Sequence, residues 1–459
     1  MRGLFFLVPL AAAFALTGAV ASRAADDPVA MTIDLLSRED ADFRAIALER
    51  VRHGTKGEAA TNRFAVEIAK QTPADRQIAL VRALADRGDA AAVPAITALL
   101  LQATDPSVRS AAVLALGALG SQAEVAVLKQ SLSAAEPEKA AARRALTVLR
   151  GDDATMQIVD AAKHGEPPLR PAFIDILVDR RARIALPELA MMTVDADAAV
   201  RAAAMRALGQ MGGPEQVTGM IAGVLKAQSG GERRDAERAL VAVCTRSRGH
   251  EEAAKRFLDS FKMAPESEQE MLLPALGGVG GPGAMAVVDE MVSSPDAAKR
   301  KFGLSALSRW PDATVASRLT DLVGKAQDPA ERALLLGTLI RIAPLPDNKL
   351  NDAQKLDLAR RTMELCQTDD DRGRLIERVN AIRTVEAFRF VTGYLDSPAL
   401  AEPACRSVVE LAHHRQLRDA NKDEFSKALD RVIEMTKNPE LVERANAYKE
   451  GKTWERKKG

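Results

Sequence analysis

Histidines, carboxylate runs and a glycine-rich segment are the residues of this chain with the types and spacing that catalysis or metal binding requires. The five histidines are His53, His164, His250, His413 and His414. His413 and His414 are adjacent, so they point to different sides of a helix and do not chelate a metal as an i, i+4 pair would. The sequence has no His-Glu-x-x-His motif and no Cys/His cluster. We therefore expect histidines at the surface or at helix ends, and no metal site.

The remaining candidates for chemistry also have structural explanations. The carboxylate runs at 26–27, 152–153 and 369–371 each stand at a predicted helix start, where the helix dipole favours negative charge. Gly277–Gly283 reads GGVGGPG, but no predicted strand precedes it and no Lys-Ser/Thr follows it, so it lacks the context of a phosphate-binding loop. We predict a flexible turn there. No Gly-x-Ser-x-Gly elbow is present, and we expect neither catalytic residues nor a cofactor.

The composition is typical of stacked helices and argues against a nucleic-acid partner. Of 459 residues, 47% are hydrophobic and only 3% are aromatic, and alanine and leucine dominate the apolar set. The 64 Lys and Arg nearly balance the 63 Asp and Glu, which leaves a net charge of +1. Proteins that bind nucleic acid usually carry a basic excess.

The N-terminal residues are typical of a secretory signal. Arg2 is followed by an apolar run from Leu4 to Leu16, and Ala19-Val20-Ala21 has the small-x-small pattern of a cleavage site. The run is shorter than the ~20 apolar residues of a membrane-spanning helix. No cysteine follows it, so lipid anchoring is not expected. We predict a signal peptide at residues 1–25, no transmembrane segment elsewhere, and a periplasmic or secreted location.

Three cysteines, Cys244, Cys366 and Cys405, remain after the predicted signal. In an exported chain an odd number leaves at least one thiol free. All three lie in apolar helical contexts, so we predict small buried hydrophobic side chains. Whether Cys366 and Cys405 pair stays open, because no motif supports a bridge.

An internal repeat organises the rest of the chain. Residues 105–120 read DPSVRSAAVLALGALG, and residues 197–212 read DAAVRAAAMRALGQMG, in the same register. The offset of 92 residues equals three units of about 31, a period typical of solenoids. More degenerate copies open at Asp42-Phe43-Arg44, Lys299-Arg300 and Asp328 to Arg332.

Each position of the repeat has a physical reason. Asp105 suits an N-cap, because its carboxylate accepts hydrogen bonds from free backbone N–H groups, and Pro106 suits the first helical position. The apolar stripe predicted to face the core is Val108, Ala112, Ala115, Leu116 and Leu119. Gly120 is predicted to end the helix in the left-handed conformation. The same cap-then-proline pattern recurs at 72–73, 136–137, 294–295, 328–329, 397–398 and 438–439.

A second amphipathic run follows the first in each unit, which predicts an all-α solenoid of about twelve helix pairs over residues 26–450. The pairs open near 38, 73, 105, 137, 167, 197, 231, 265, 295, 328, 369 and 398, and a last helix starts near 438. No segment shows β alternation. A Pro-rich insertion, APLPDNKLND at 343–352, separates the two helices of one pair, and a basic tail occupies 451–459. Trp310 takes the frame position of Leu119 and is predicted to lie in the core.

The motif DPxVRxxAxxALGxxG resembles the HEAT-repeat family, in its bacterial PBS-lyase-type subclass. The resemblance implies that the second helix of each pair lines a concave face. It also implies that the repeated Asp and Arg residues form structural ladders between neighbouring units rather than a catalytic site. Carried onto this sequence, the ladder residues are Asp105, Arg109, Asp197 and Arg201, with Arg300, Asp328 and Arg332 matching less closely.

The expected function is that of an exported, non-enzymatic scaffold that binds a protein partner, while a polysaccharide or another envelope component remains a second partner class. A bilin-lyase-like enzyme or chaperone is the alternative that the subclass suggests, and export argues against it. A HEAT-type DNA glycosylase needs a basic, aromatic groove that the composition does not favour. An accessory role for a sugar-processing enzyme rests on analogy alone. The predicted partner contacts lie in the insertion and the tail: Asp347, Asn348, Lys349, Trp454, Arg456 and Lys457.

Overall fold

A computed structural model describes residues 27–246, 249–345 and 349–454. The predicted signal peptide at 1–25 lies outside these ranges, and so do Asp347, Asn348, Arg456 and Lys457. The described residues form twenty-seven α-helices and seven short 3-10 turns, and they contain no β-strand. The prediction of an all-α solenoid is therefore confirmed.

The helices are numbered here in chain order. They are α1 Pro28–Ser37, α2 Ala41–His53, α3 Glu58–Val66, α4 Ala74–Arg87, α5 Val93–Gln102, α6 Pro106–Leu119, α7 Val125–Ser131, α8 Glu138–Val148, α9 Asp152–His164, α10 Arg170–Asp179, α11 Leu186–Met192, α12 Ala198–Met211, α13 Val217–Lys226 and α14 Gly231–Thr245. They continue with α15 His250–Met263, α16 Glu266–Val279, α17 Gly281–Val292, α18 Ala297–Leu307, α19 Ala316–Lys325, α20 Pro329–Ile342, α21 Asp352–Leu365, α22 Asp369–Val379, α23 Val385–Thr392, α24 Ala401–His413, α25 Arg415–Ala420, α26 Lys422–Met435 and α27 Pro439–Lys449.

The chain order gives twelve helix pairs, from α2–α3 to α24–α26, with α1 before them and α27 after them. Most first helices pack on the first helices of neighbouring pairs, as α4 and α8 do on α6, and most second helices pack on the first helix that follows, as α5 does on α6. The helices belong to two compact units, one of residues 1–212 and 226–235 and the other of residues 213–225 and 236–459. Within α6, the predicted apolar stripe is buried at every position.

The proline pattern predicted helix starts correctly at some positions and not at others. Pro106, Pro329 and Pro439 stand in the first turn of their helices, each after an Asp or Asn cap. The prediction is wrong for α4 and α8, where the proline itself occupies the N-cap position. It is also wrong for α18, because Asp296 caps that helix by accepting from the backbone N–H of Ala298 and Lys299 at 2.8 and 3.3 Å.

Two predictions about glycine are wrong, and both have a steric reason. Gly120 ends α6 with φ −76°, which is not left-handed, and glycine is needed because a Cβ there would come within 2.6 Å of the Leu116 carbonyl oxygen. The predicted flexible turn at 277–283 is helical except at Gly280. Gly277 lies inside α16, where a Cβ would stand 2.1 Å from the carbonyl oxygen of Ala306 on α18.

The tryptophan and cysteine predictions agree with the structure. Trp310 is 1% exposed, and its indole N–H donates to the Thr314 hydroxyl at 3.0 Å. Cys244, Cys366 and Cys405 are buried and free, so Cys366 and Cys405 do not pair. Burial raises the pKa of Cys244 to about 12 and that of Cys366 and Cys405 to about 11.

We expect none of the three thiols to react with a thiol-specific reagent such as DTNB in native buffer near pH 8, because buried, protonated thiols are poor nucleophiles. In denaturing urea all three should react. The measurement is the absorbance of released thionitrobenzoate per chain. A native stoichiometry of one or more fast-reacting thiols would contradict the buried placement.

Candidate partner-binding surface

The arginine of the repeat motif connects neighbouring pairs. The Asp105 carboxylate caps α6 by accepting from the backbone N–H of Ser107 at 2.7 Å, and the Arg109 backbone N–H donates to the Asp105 carbonyl at 3.0 Å. The Arg109 guanidinium donates to the Leu100 carbonyl on the preceding helix α5 at 2.6 Å. It also forms an ion pair with Glu138 at the start of α8, through two hydrogen bonds of 2.6 and 2.8 Å. The Arg109 hydrogen bonds hold the pKa of the Glu138 carboxyl below its usual range.

The second copy of the motif repeats this arrangement. Asp197 caps α12 through the backbone N–H of Ala199 at 2.8 Å. Arg201 is 5% exposed, donates to the Asp195 carbonyl at 2.8 Å and pairs with Glu232 at 2.8 Å. Its hydrogen bond lowers the pKa of Glu232. The ladder therefore consists of an arginine, the carbonyls of the preceding helix end and an acid of the following pair.

The weaker copies of the motif differ in their contacts. Asp328 caps α20 through the backbone N–H of Ala330 at 3.0 Å, and Arg332 donates to the carbonyls of Val323 and Leu365. Arg300 is exposed, and its side chain forms no ion pair or hydrogen bond with any residue that the structure describes.

A second set of structural arginines was missed by the sequence analysis. Arg87, at the end of α4, donates to the carbonyl of Val51 at 2.8 Å and to the hydroxyl of Thr61 at 2.6 Å. Arg180 donates in the same way to the Leu146 carbonyl at 2.5 Å and to the Thr155 hydroxyl at 2.8 Å. The signal was available, because these arginines lie 93 residues apart, which matches the repeat frame.

Several second helices carry strongly exposed apolar side chains. In the first unit, Val66 of α3, Leu101 of α5 and Met191 of α11 are 61%, 67% and 62% exposed. Val66 and Leu101 stand at the same register, eight residues after the start of their helices. Apolar side chains exposed in this way are a common feature of protein-binding surfaces.

In the second unit, a groove of about 280 Å³ separates the second helices α19 and α21. Its lining residues are Ala313, Ala316, Ser317, Thr320, Asp321, Leu350, Gln354, Leu358 and Arg361. The groove exists because the side chains on the α19 side, such as Ala316 and Ser317, are small. Leu350 and Leu358 on the α21 side do not fill the remaining space. The volume lies at or below the ~300–1,000 Å³ of small-molecule sites, so the groove fits one partner side chain better than a cofactor.

Two charged side chains, Asp321 and Arg361, line the groove. The exposed carboxylate of Asp321 has no partner among the described residues. Arg361 lies across the groove and pairs with Asp357 at 2.5 Å. The Thr320 hydroxyl donates to the Ala316 carbonyl at 2.9 Å.

The predicted contact residues of the insertion and the tail have different environments. Leu350, in the insertion, lines the groove, and Lys349 beside it is exposed. Trp454 is half-buried, with Arg444 stacked over its ring at 5.4 Å. Arg444 also lies over Tyr448 at 5.9 Å, and Tyr448 accepts or donates a 3.0 Å hydrogen bond with His413. Trp454 therefore packs on the end of the second unit.

The described ranges lack two features that mark other functional classes. There, no three His, Cys, Asp or Glu side chains are grouped so that they would hold a metal ion. None of the helices in the described part of the chain combines the length and apolarity that crossing a bilayer requires.

Comparisons with known proteins agree with the repeat architecture. The family described as HEAT repeats matches residues 62–147 and 155–241, which include both strong copies of the motif. No curated protein sequence matches the chain.

Among solved structures, the karyopherin Kap121p bound to the extreme C-terminus of the protein phosphatase Cdc14p is 10% identical, with a TM-score of 0.46 over 94% of this chain and 57% of that chain. Importin beta is 11% identical, with a TM-score of 0.39 over 92% of this chain and 66% of that chain. Human deoxyhypusine hydroxylase in complex with glycerol is 18% identical, with a TM-score of 0.24 over 64% of this chain and 99% of that chain. The chain spans little more than half of the Kap121p chain.

Proposed function

We propose that this chain, which contains HEAT repeats, is an exported, non-enzymatic scaffold that binds a protein partner through the second helices of its pairs. The observation that carries the proposal is the groove between α19 and α21, where the second-helix surface and the Pro-rich insertion meet. A partner side chain that enters this groove would contact Leu350 and Leu358, and it would lie near the free carboxylate of Asp321.

The non-enzymatic part of the proposal is supported by what the polar residues already do. The motif aspartates cap helices, and Arg109, Arg201 and Arg332 hold carbonyls and acids of the stack. The groove places Ser317 and Thr320 near Asp321 without a histidine or lysine among its lining residues, and the Thr320 hydroxyl already donates to the Ala316 carbonyl.

The location and subclass are proposals that rest on the sequence. The apolar run from Leu4 to Leu16, followed by Ala19-Val20-Ala21, supports export to the periplasm or the medium. The motif at 105–120 supports membership of the bacterial PBS-lyase-type subclass. A protein of the cell envelope is therefore the partner class that we favour over a polysaccharide or a nucleic acid.

The groove proposal is tested with Ser317→Trp, because an indole at this exposed position would fill the space between α19 and α21. We expect the amount of partner recovered with the tagged chain from the envelope fraction to fall about tenfold or more, as for a central contact residue. The matched control is Lys301→Trp, an exposed position on the first helix α18. Quantitative mass spectrometry of the recovered proteins gives the comparison.

Circular dichroism of both variants checks that the helices remain folded. If Ser317→Trp recovers the same proteins as Lys301→Trp and the unaltered chain, the groove is not the binding surface. If only cytosolic proteins or nucleic acid are recovered, the exported-scaffold proposal fails.

A further inference from the structure

The first helix pair of the first unit has an outer face that no described helix covers. Helix α2 packs on α4 on one side, as interior first helices do, and on the preceding helix α1. Phe43 and Ile46 lie on a stripe beside the buried residues Ala47 and Val51, and they are 41% and 47% exposed. Together with Arg50 they occupy positions i, i+3 and i+7, which form one stripe along a helix.

The stripe forms the floor of a trough that runs along α2. Two adjoining open depressions of about 530 and 590 Å³ make up this trough, and Ile46 and Arg50 line both of them. The second depression is lined only by α2 and Gly54. The remaining lining residues are Ala30, Met31, Asp34, Leu35, Arg38, Phe43, Ala45, Glu49, His53 and Gly54. Met31, on the α1 side, is 48% exposed and adds an apolar side chain to the lining.

The charged groups of the trough are paired, with one exception. Asp34 pairs with Arg38 at 2.8 Å, and the Arg38 guanidinium lies over the Phe43 ring at 5.2 Å. Glu49 contacts Arg52 at 3.3 Å and His53 at 3.4 Å. The Arg50 side chain has no ion pair or hydrogen bond with any residue in the described ranges, so the trough carries one uncompensated positive charge at its centre.

We propose that this trough binds an amphipathic helix of a partner protein, with an apolar stripe on Phe43 and Ile46 and a carboxylate on Arg50. Elsewhere in the unit, the corresponding face of a first helix is covered by another first helix, as α4 covers one side of α6. The 13 residues of α2 span about 20 Å, enough for roughly three to four turns of a docked helix. A single apolar stripe with one acid matches the trough in both shape and charge.

A second copy of this chain fits the trough less well. A symmetric interface would bring two Arg50 side chains to the same contact. The carboxylates that line the trough, Asp34 and Glu49, are already paired and do not offer a counter-charge. The trough lies in the first unit and the α19–α21 groove in the second, so this inference does not depend on the proposed function.

The test is a selection of helical peptides displayed on phage, with the stripe positions randomised, against the full chain. Counter-selection against Ile46→Asp removes peptides that bind elsewhere. We expect enriched sequences with apolar residues at i, i+3 or i+4, and i+7 and with Asp or Glu beside them. Fluorescence anisotropy measures the affinity of the best peptide for the full chain. This affinity should fall about tenfold when the acid of the peptide is replaced by Lys. In the Arg50→Glu chain, the Lys peptide should bind more tightly than the acidic peptide.

Three results would overturn the proposal. The selection could yield no peptide whose binding is lost in Ile46→Asp. The enriched peptides could bind equally well with Lys in place of the acid, or the Arg50→Glu chain could still prefer the acidic peptide. The unaltered chain could instead sediment as a dimer, and Ile46→Asp could convert it to a monomer. That result would show that the trough on α2 is a self-association surface. Lys301→Trp serves as the folded control, and it should bind the selected peptide with unchanged affinity.

Discussion

Replacing Gly277 by alanine is expected to lower the free energy of unfolding of the chain by about 2 to 3 kcal/mol, net of the gain in helix propensity. The added Cβ would stand 2.1 Å from the carbonyl oxygen and 2.8 Å from the Cα of Ala306, both of which are backbone atoms. No side chain can move to relieve that overlap, so α16 and α18 would have to separate. Gly117, where a Cβ would stand 2.4 Å from the Ala145 Cα, should behave in the same way.

Gly337→Ala is the matched control for this prediction. Gly337 lies inside α20 in the same unit as Gly277, and a Cβ there meets no atom within 4 Å. This substitution should stabilise the chain by about 0.5 to 1 kcal/mol, because alanine forms helix better than glycine. Urea unfolding followed by circular dichroism measures both values. Equal midpoints for the two variants would show that the close crossing of α16 and α18 is not a constraint.

Removal of Arg109 is the second large effect, with an expected loss of about 3 kcal/mol for Arg109→Ala. Glu138 is only 5% exposed, and without Arg109 its carboxylate keeps one hydrogen bond, from the Ser131 hydroxyl at 2.7 Å. The Leu100 carbonyl would also lose its donor. Most of the cost would therefore come from leaving a buried negative charge and a helix end without their partner.

Two comparisons separate this effect from the loss of a surface charge. In the double variant Arg109→Ala with Glu138→Gln, part of the loss should be recovered, because the buried group is then neutral. Arg389→Ala removes an exposed pair with Glu424, whose two hydrogen bonds are 2.8 and 2.7 Å, and it should cost much less stability than Arg109→Ala, because water solvates both exposed charges. An Arg109→Ala loss no larger than that of Arg389→Ala would mean that the ladder contributes little.

The ladder also gives the stability a predicted pH dependence. The pKa of Glu138 is lower in the folded chain than in the unfolded chain, because Arg109 donates to its carboxylate. Its contribution is therefore complete above the unfolded pKa and is lost as the pH falls through the folded pKa. The difference in unfolding free energy between the unaltered chain and Glu138→Gln should shrink on acidification.

The pair boundaries were predictable because they depend on local chemistry. Asp105, Asp197 and Asp328 each cap the helix that follows, and a capping carboxylate acts within three residues of its own position. The environment of Gly277 was not predictable in the same way. Gly277 lies close to Ala306 because α16 and α18 cross there, and the local sequence does not show that crossing. The glycine-rich sequence by itself predicts a turn.

The candidate surface was predicted in location but not in detail. The sequence pointed to the second helices and to the insertion, and Leu350 of that insertion lines the groove. The residues on the opposite wall, such as Ser317 and Thr320, belong to the preceding pair, and nothing in their local sequence marks them. The trough on α2 was not predictable from the local sequence either. Its positive charge depends on the Arg50 side chain having no partner among the described residues, and that is a property of the folded structure.

Photo-crosslinking in the producing cells tests the central claim, that the second-helix groove is the partner-binding surface, most directly. A benzophenone amino acid is placed at Ser317 in the groove, and in a separate chain at Lys301 on the first helix α18. We predict that the Ser317 probe captures one dominant envelope protein, that the Lys301 probe does not, and that a tryptophan at Thr320 abolishes the capture. Equal capture from both positions, or no capture from Ser317, would contradict the account.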